Sequence, residues 1–333
     1  MSGNKSKVAV LDDWQGVAHQ SADWYEIESR AEVTIFNEAF ADENDAAEKL
    51  ADHDIVLSMR ERTPLPASLI NRLPKLKMLG MTGARNASLD TPACTARGIV
   101  VCNTRGGGYA DSATAELALG LLIAAARGIP RGDENMRHEK FQMGVPIGIG
   151  LAGKTIGIMG LGRLGGYMAK YCLALGMTVI AWSQNLTAER CAEVGVTLVT
   201  KDELLRQSDA ISIHLVLSPR SRGLIGATDI AKMKQGAILI NTSRGPIVEE
   251  DALLRALQQK RIVAALDVYD KEPLPEEHAL RRLPNTVLMP HMGYGVKETW
   301  DQFYPQMIEN ALAFLDGTPV RVTNPEVLDK GKA

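Results

Sequence analysis

The chain has 333 residues, 45% of them hydrophobic and 23% charged, with a formal net charge of −3. At roughly 150 residues per domain this length predicts two domains, with ample material for buried cores. The composition excludes a disordered chain, and the near-neutral charge excludes a basic field of the kind that binds nucleic acid or an anionic membrane surface.

The opening stretch, MSGNKSKVAVLDDW, turns charged after a few apolar residues and lacks the long apolar centre of a signal peptide. Short β-branched runs then alternate with helical stretches. Strands are expected at 7–11, 32–36, 54–58, 76–80 and 99–101, with helices such as 44–51 and 65–73 between them. Alternation of this kind argues for a parallel sheet covered by helices on both faces. A glycine-rich break follows at Gly106, Gly107 and Gly108. After it comes a long apolar helix, 112–127, with Asp111 or Ser112 placed to cap it. The polar stretch 128–144 and the loose segment 145–153 lead into a second series. Its strands are expected at 155–159, 178–182, 210–213, 237–241, 262–267 and 286–289, and its helices at 164–175, 202–207 and 250–258, with an amphipathic tail helix at 297–316.

The longest apolar run, 117–126, is too short to span a bilayer, so no membrane partner is expected. Cys94, Cys102, Cys172 and Cys191 form no CxxC pair, so no zinc or other metal site is expected. Few cysteines in a long chain suit a reducing compartment, and a cytoplasmic location is the expectation.

The clearest chemical motif is Gly160-Leu161-Gly162-Arg163-Leu164-Gly165, which follows an apolar strand and opens a helix. Gly160 permits the tight turn, Gly162 lets backbone approach a pyrophosphate, and Gly165 lets helix and strand pack closely. The helix N-terminus then offers unpaired N–H groups to phosphates. An acid is expected at the end of the next strand to hold the adenosine ribose, but Ser183 stands there, followed by Gln184 and Asn185. No carboxylate rejects a 2′-phosphate and no adjacent arginine binds one, so NAD and NADP both remain open.

Three further segments follow buried strands: Asn241-Thr242-Ser243-Arg244-Gly245, Asp267-Val268-Tyr269-Asp270-Lys271-Glu272-Pro273, and Pro290-His291-Met292-Gly293. Ligands of open α/β sheets bind beyond the carboxyl ends of the strands, so Arg244, Glu272 and His291 could converge. Arg244 offers a planar fork for a carboxylate. His291 can give and take a proton near neutral pH, and Glu272 could fix its tautomer.

On these motifs the chain resembles the D-isomer-specific 2-hydroxyacid dehydrogenases over nearly its whole length. The resemblance rests on the glycine turn, on NTSRGPIV at 241–248, LDVYDKEPL at 266–274 and PHMG at 290–293, with SPRSRGLI at 218–225 and ADSATAELALGLLIAAAR at 110–127. It implies hydride transfer between NAD or NADP and a small 2-keto or 2-hydroxy acid. Arg244 would bind the substrate carboxylate, His291 would protonate the carbonyl oxygen, and Glu272 would orient and charge His291. Asp267 would meet the nicotinamide amide, Arg163 and Leu164 the pyrophosphate, and Ser183 the ribose. Thr242, Ser243 and Gly293 join them as cofactor-binding candidates. The loop TGARNASLD at 82–90 would hold the carboxylate through backbone N–H groups of Gly83, Ala84 and Arg85, and MRERT at 59–63 matches the other substrate-facing turn. At least one of Arg60, Arg62, Arg85 and Arg105 is expected to bind a second anionic group on the substrate. Departures from the family pattern include Tyr294 after the histidine segment and Val216 in HLVLSP.

The expected architecture is α/β, with two Rossmann-like or flavodoxin-like doubly wound parallel-sheet domains separated by a cleft. A discontinuous substrate domain spans 1–103 and 297–333, and a dinucleotide domain spans 104–296. The crossings near Gly106–Gly108 and 293–295 suit a hinge. The resemblance also implies a homodimer joined through the nucleotide-binding domains, with the 112–127 helix and the stretch to Gly150 supplying much of the contact. The alternatives are a formate- or phosphite-type dehydrogenase, the former disfavoured by Glu272, or a dinucleotide-binding regulatory protein of the same fold.

Overall fold

The computed structural model describes residues 5–106 and 108–329, with Tyr109 described by its backbone alone. Residues 1–4 and 330–333 of the expected substrate domain, and Gly107 of the expected crossing, lie outside the described residues. The chain divides into two compact units, Met1–Ala110 with Gly295–Ala333, and Asp111–Tyr294.

The first unit holds β1 (Ser6–Val10), β2 (Ala31–Ile35), β3 (Ile55–Ser58), β4 (Met78–Met81) and β5 (Val100–Asn103), all parallel in the order β2-β1-β3-β4-β5. Every residue of β3 and β4 is buried. A strand covered on both faces reads as a continuous apolar run rather than an alternating one. The Lys297–Leu315 helix packs on β4. The returning chain then pairs with β5, where Asn103 N donates to Arg321 O and Thr323 N to Val101 O. That pairing covers one sheet edge.

The second unit holds β6 (Thr155–Met159), β7 (Thr178–Trp182), β8 (Thr197–Leu198), β9 (Ala210–Ile213), β10 (Ala237–Asn241), β11 (Ile262–Leu266) and β12 (Thr286–Leu288). They form one parallel sheet in the order β12-β11-β10-β9-β6-β7-β8. Successive side chains face opposite ways. Ile238 and Ile240 therefore join the layer of the Ala113–Arg127 and Arg163–Ala174 helices, while Leu239 joins the layer of the Glu250–Gln258 helix. Strand order reverses between β1 and β3 in the first unit and between β6 and β9 in the second, which are the places where open sheets bind ligands.

Two local features differ from expectation. Ser112 stands at the N-cap of the Ala113–Arg127 helix, but its side chain makes no capping hydrogen bond, and the 3-10 turn Gly108–Ser112 leads into the helix. Ser112 Oγ instead donates to Glu116 at 2.6 Å and Asp111 pairs with Arg163. The polar stretch 128–144, for which no element was expected, holds a helix, Ile129–Arg137, opened by Pro130 and laced by Arg131–Glu134 and Asp133–Arg137 ion pairs. It carries no apolar stripe, the feature by which a helix is read from sequence. Among the described residues, no single helix is long and apolar enough to cross a membrane, and no group of His, Cys, Asp and Glu is placed to hold a metal ion.

Candidate active site

β6 turns at Gly160 into the Arg163–Ala174 helix. Gly160 has φ 99°, and a Cβ there would lie 2.6 Å from His214 O. A Cβ on Gly165 would overlap the Gly160 carbonyl, so helix and strand touch backbone to backbone. At Gly162 a Cβ would meet nothing within 4 Å, which leaves the helix N-terminus bare for an anion. Arg163, in the first turn, is exposed and paired with Asp111, and Leu164 is half-buried.

Two solvent-shielded polar atoms stand beside this turn without a hydrogen-bond partner: His214 Nδ1 just beyond β9 and Thr242 Oγ1 just beyond β10. Asn241 and Ile213 are register partners, so the two atoms occupy neighbouring positions at the sheet's carboxyl end. Shielded polar atoms ordinarily have partners. The open Gly162 cradle and these two atoms are features a bound dinucleotide would satisfy, and the residues present fit one. Ser183 sits half-buried at the end of β7, with Gln184 and Asn185 exposed.

The acid–base groups meet by a chain of contacts. Ser243 Oγ donates to Ile213 O at 2.8 Å and Asn241 Nδ2 to Arg244 O at 2.9 Å, which fixes the turn that presents Arg244. Arg244 Nη1 donates to Ser243 O at 2.5 Å. A Cβ on Gly245 would overlap the Tyr269 backbone, so this turn lies directly on the segment after β11. Tyr269 N donates to Glu272 Oε1 at 2.9 Å, and Glu272 Oε2 meets His291 Nδ1 at 2.5 Å. Tyr269 OH donates to Met289 O at 2.8 Å and ties this segment to the chain beyond β12.

His291 has φ 56°, a left-handed conformation that a non-glycine residue holds only when its surroundings impose it. The turn is held on both sides: Glu272 meets the His291 ring, and Asp267 accepts from Met292 N at 2.6 Å and Gly293 N at 2.8 Å. Burial pushes the Asp267 carboxyl up, against the pull of these donors. The carboxylate expected at a nicotinamide amide is thus also the anchor of the histidine turn. Gly293 fits only as glycine, since a Cβ would lie 2.9 Å from Thr114 Cγ2.

In the first unit, Arg60 N donates to Thr82 Oγ1 at 2.9 Å and its guanidinium lies across Gly83, whose φ is 74°. Gly83 N–H donates to Thr104 Oγ1 at 2.9 Å. The Gly83 N–H expected to meet a substrate carboxylate is thus engaged by a threonine hydroxyl in this structure. Ala84 and Arg85 remain exposed. Of the four arginines expected near a substrate, Arg60, Arg85 and Arg105 are exposed, whereas Arg62 is buried with its guanidinium 5.2 Å from the centre of the Trp14 ring.

Sequence reading missed Tyr269 and Thr114, which have no chemistry of their own here, and His214, whose orphan atom only packing reveals. It also missed Arg190, which stands well beyond Ser183 in the chain yet returns to the glycine turn. The signal that could have found it is Thr187, a helix-capping residue that starts a short helix, Ala188–Val194, with Arg190 in its first turn.

Residues 119–293 match the family model described as the D-isomer specific 2-hydroxyacid dehydrogenase, NAD binding domain. A D-3-phosphoglycerate dehydrogenase of Archaeoglobus fulgidus is 39% identical over 264 residues, covering 79% of this chain and 50% of that protein. A glyoxylate reductase of Korarchaeum cryptofilum is 33% identical over 287 residues, covering 84% of this chain and 86% of that one. The chain thus spans about half the length of the phosphoglycerate dehydrogenase and most of the length of the glyoxylate reductase. The crystal structure of a phosphoglycerate oxidoreductase from Vibrio cholerae superposes with a TM-score of 0.88 at 32% identity, covering 94% of this chain and 99% of that one.

Proposed function

The chain belongs to the D-isomer specific 2-hydroxyacid dehydrogenase family, and from that premise we propose that it is an NAD(P)-dependent oxidoreductase acting at C2 of a small D-2-hydroxy or 2-keto acid. The nicotinamide, when bound, supplies or accepts the hydride. Gly160, Gly162 and Gly165 with Arg163 and Leu164 would hold the pyrophosphate, Ser183 the ribose, and Thr242, Ser243, Asp267 and Gly293 the nicotinamide end.

Arg244 binds the substrate carboxylate through its fork and polarises the neighbouring carbonyl. With Nδ1 held by Glu272, the proton that His291 exchanges with the substrate oxygen is the one on Nε2. In reduction His291 gives that proton, and in oxidation it takes one. Glu272 fixes the tautomer and stabilises the charged ring, as a carboxylate behind a catalytic imidazole does. The first unit's candidates for the substrate are Arg60, Gly83, Ala84 and Arg85. Arg62, backed by Trp14, is the candidate for a second anionic group. The observation that carries the reading is the Glu272–His291 pair, held in a strained turn by Asp267.

We also assign a homodimer. The C-terminal end of the Ala113–Arg127 helix, the 144–149 segment and edge strand β12 frame a groove of about 710 Å³. Phe141, Met143 and Ile147 stand exposed on the adjoining arm, Ile147 at 99%. Apolar side chains this exposed mark an interaction surface, and mass measurement in solution with Ile147→Asp tests it. Four buried, unpaired thiols support a reducing, cytoplasmic setting.

The test of the activity is oxidation of NADH and NADPH, followed by absorbance, with glyoxylate, hydroxypyruvate and phosphohydroxypyruvate. Turnover of at least one is expected, and the product from hydroxypyruvate or phosphohydroxypyruvate, where reduction creates a stereocentre, is expected to be the D-isomer. Nucleotide binding without turnover of any 2-keto acid overturns the reading.

A further inference from the structure

NAD and NADP differ at the far end of the dinucleotide, by one phosphate on the adenosine ribose. Resting on the reading of the 160–165 turn as the dinucleotide site, we propose that this chain prefers NADP, with Arg190 binding the 2′-phosphate and Ser183 making room for it. In a doubly wound nucleotide fold, a carboxylate at the end of the second strand accepts from the ribose hydroxyls and repels a 2′-phosphate, while an arginine nearby accommodates that phosphate. Here the second strand is β7, and Ser183 follows its last residue, Trp182. A serine hydroxyl carries no charge and can donate to a phosphate oxygen.

The cation comes from the next helix. Thr187 Oγ1 accepts from Arg190 N at 3.3 Å, which places Arg190 in the first turn of the Ala188–Val194 helix. Its side chain runs back to the glycine turn. Nε faces Leu161 O at 3.4 Å, and Nη2 lies 3.6 Å from where a Cβ on Gly166 would be. The guanidinium therefore lies against one side of the turn, and Gly162 on the same turn is open. Nη1 pairs with Glu193 at 2.7 Å, while Nη2 makes no hydrogen bond among the described residues. Glu189, on the same short helix, hydrogen-bonds Thr187 and is exposed, as is Glu193. An exposed ion pair of the Arg190–Glu193 kind contributes little and yields readily to a doubly charged partner. Its cost to a competing phosphate is therefore small. Arginine suits the task better than lysine, since its planar fork meets two phosphate oxygens at once.

The test is equilibrium binding rather than turnover. NADH and NADPH are titrated by nucleotide fluorescence, and 5′-AMP and 2′,5′-ADP compete against each, for the full chain and for Arg190→Ala, Arg190→Lys and Ser183→Asp. NADPH is expected to bind at least tenfold more tightly than NADH, and 2′,5′-ADP more tightly than 5′-AMP. Arg190→Ala should remove most of that difference while leaving NADH within twofold, and Arg190→Lys should restore part of it. Ser183→Asp should invert the order. Added salt should weaken NADPH more than NADH, because the extra contact is an exposed charge pair. Equal or tighter binding of NADH, or a preference for NADPH that survives Arg190→Ala, overturns the inference while leaving the dinucleotide site intact. Failure of both nucleotides to bind overturns the site and the inference together.

Discussion

At the carboxyl end of β6 the chain turns on glycine, and at the carboxyl end of β1 it turns on aspartate and tryptophan. Both places are switch points of doubly wound parallel sheets. In the second unit the switch point is lined by backbone: Gly160 lies against His214 O, Gly162 opens outward, and a 12-residue helix begins there. In the first unit it is lined by side chains. Asp12 accepts from Thr63 N at 3.3 Å and Thr63 Oγ1 at 2.8 Å, and Arg62 lies on Trp14. Asp12 and Glu61 both hold positive φ, 63° and 59°, and the first helix after β1 is the four-residue Ala18–Ser21. A pyrophosphate needs bare N–H groups and the end of a real helix, which only the second unit offers. A crevice lined by side chains cannot admit phosphates to its backbone, but it can discriminate among small charged groups. Topology supplies the place in both units, and the residue at the turn decides what kind of ligand can use it.

The sharpest way to break this comparison is to move the chemistry out of the second unit. His291→Gln should lower turnover by about 10²–10⁴-fold, the range for losing a general acid–base, while nucleotide affinity stays within twofold. Steady-state kinetics beside fluorescence titration would check both. A variant that keeps its turnover would place the proton transfer elsewhere.

Next in size is a contrast in pH dependence. Burial pushes the Asp12 carboxyl up to about 6, against the pull of Thr63 and Arg62. Between about 4 and 6 the folded first unit holds a proton that the unfolded chain has released, so its stability falls as pH rises. Burial pushes the His214 imidazole down to about 4. Between about 4 and 6.5 the unfolded chain holds the extra proton, so the second unit loses stability as pH falls. Each contribution is ~3 kcal/mol at most. Native-state hydrogen exchange, corrected for its intrinsic pH dependence, should show protection at β1 and β9 moving in opposite directions over this window. Asp12→Asn should flatten the first trend alone. Parallel trends would show that the two switch points do not differ in this way.

A smaller effect separates orientation from chemistry. Glu272→Gln keeps the shape behind His291 but loses the charge, and should lower turnover by roughly 10–100-fold, with KM for the keto acid changing much less. Glu272→Asp should recover part of the loss, since a carboxylate that reaches the ring restores the charge. Recovery by the neutral variant instead would reduce Glu272 to a packing role.

How far these features could be read from sequence follows the same division. Backbone-built features were legible, because glycine spacing between a strand and a helix has few explanations; Gly160, Gly162 and Gly165 stand where that spacing puts them. Strands such as Thr155–Met159 and Ala237–Asn241 were legible as short apolar runs. Side-chain features that depend on packing were not. Nothing in the local sequence says that Gly83 N–H is taken by Thr104, that Asp267 anchors the His291 turn, or that Arg190 folds back onto Leu161. Each joins residues far apart in the chain, and periodicity carries no information about such pairs. The Ile129–Arg137 helix was not singled out because most of its residues are polar, although Pro130 stands in its first turn.

The smallest effect tests the side-chain-lined switch point itself. Arg62 is buried and its guanidinium stacks on Trp14, which is 37% exposed. Stacking on the aromatic face fixes where the Arg62 charge sits. Arg62→Ala should therefore lower kcat/KM for 2-keto acids with a second carboxylate or a phosphate by about tenfold, the size of one charge-assisted hydrogen bond. Glyoxylate should change by less than twofold. Trp14→Leu should produce a weaker version of the same selectivity, because it removes the platform and leaves the cation. Kinetics on one monoanionic and one dianionic substrate decide the matter. If both substrates suffer equally, Arg62 serves only to neutralise Asp12 and hold the turn after β3, and the first unit's switch point is structural.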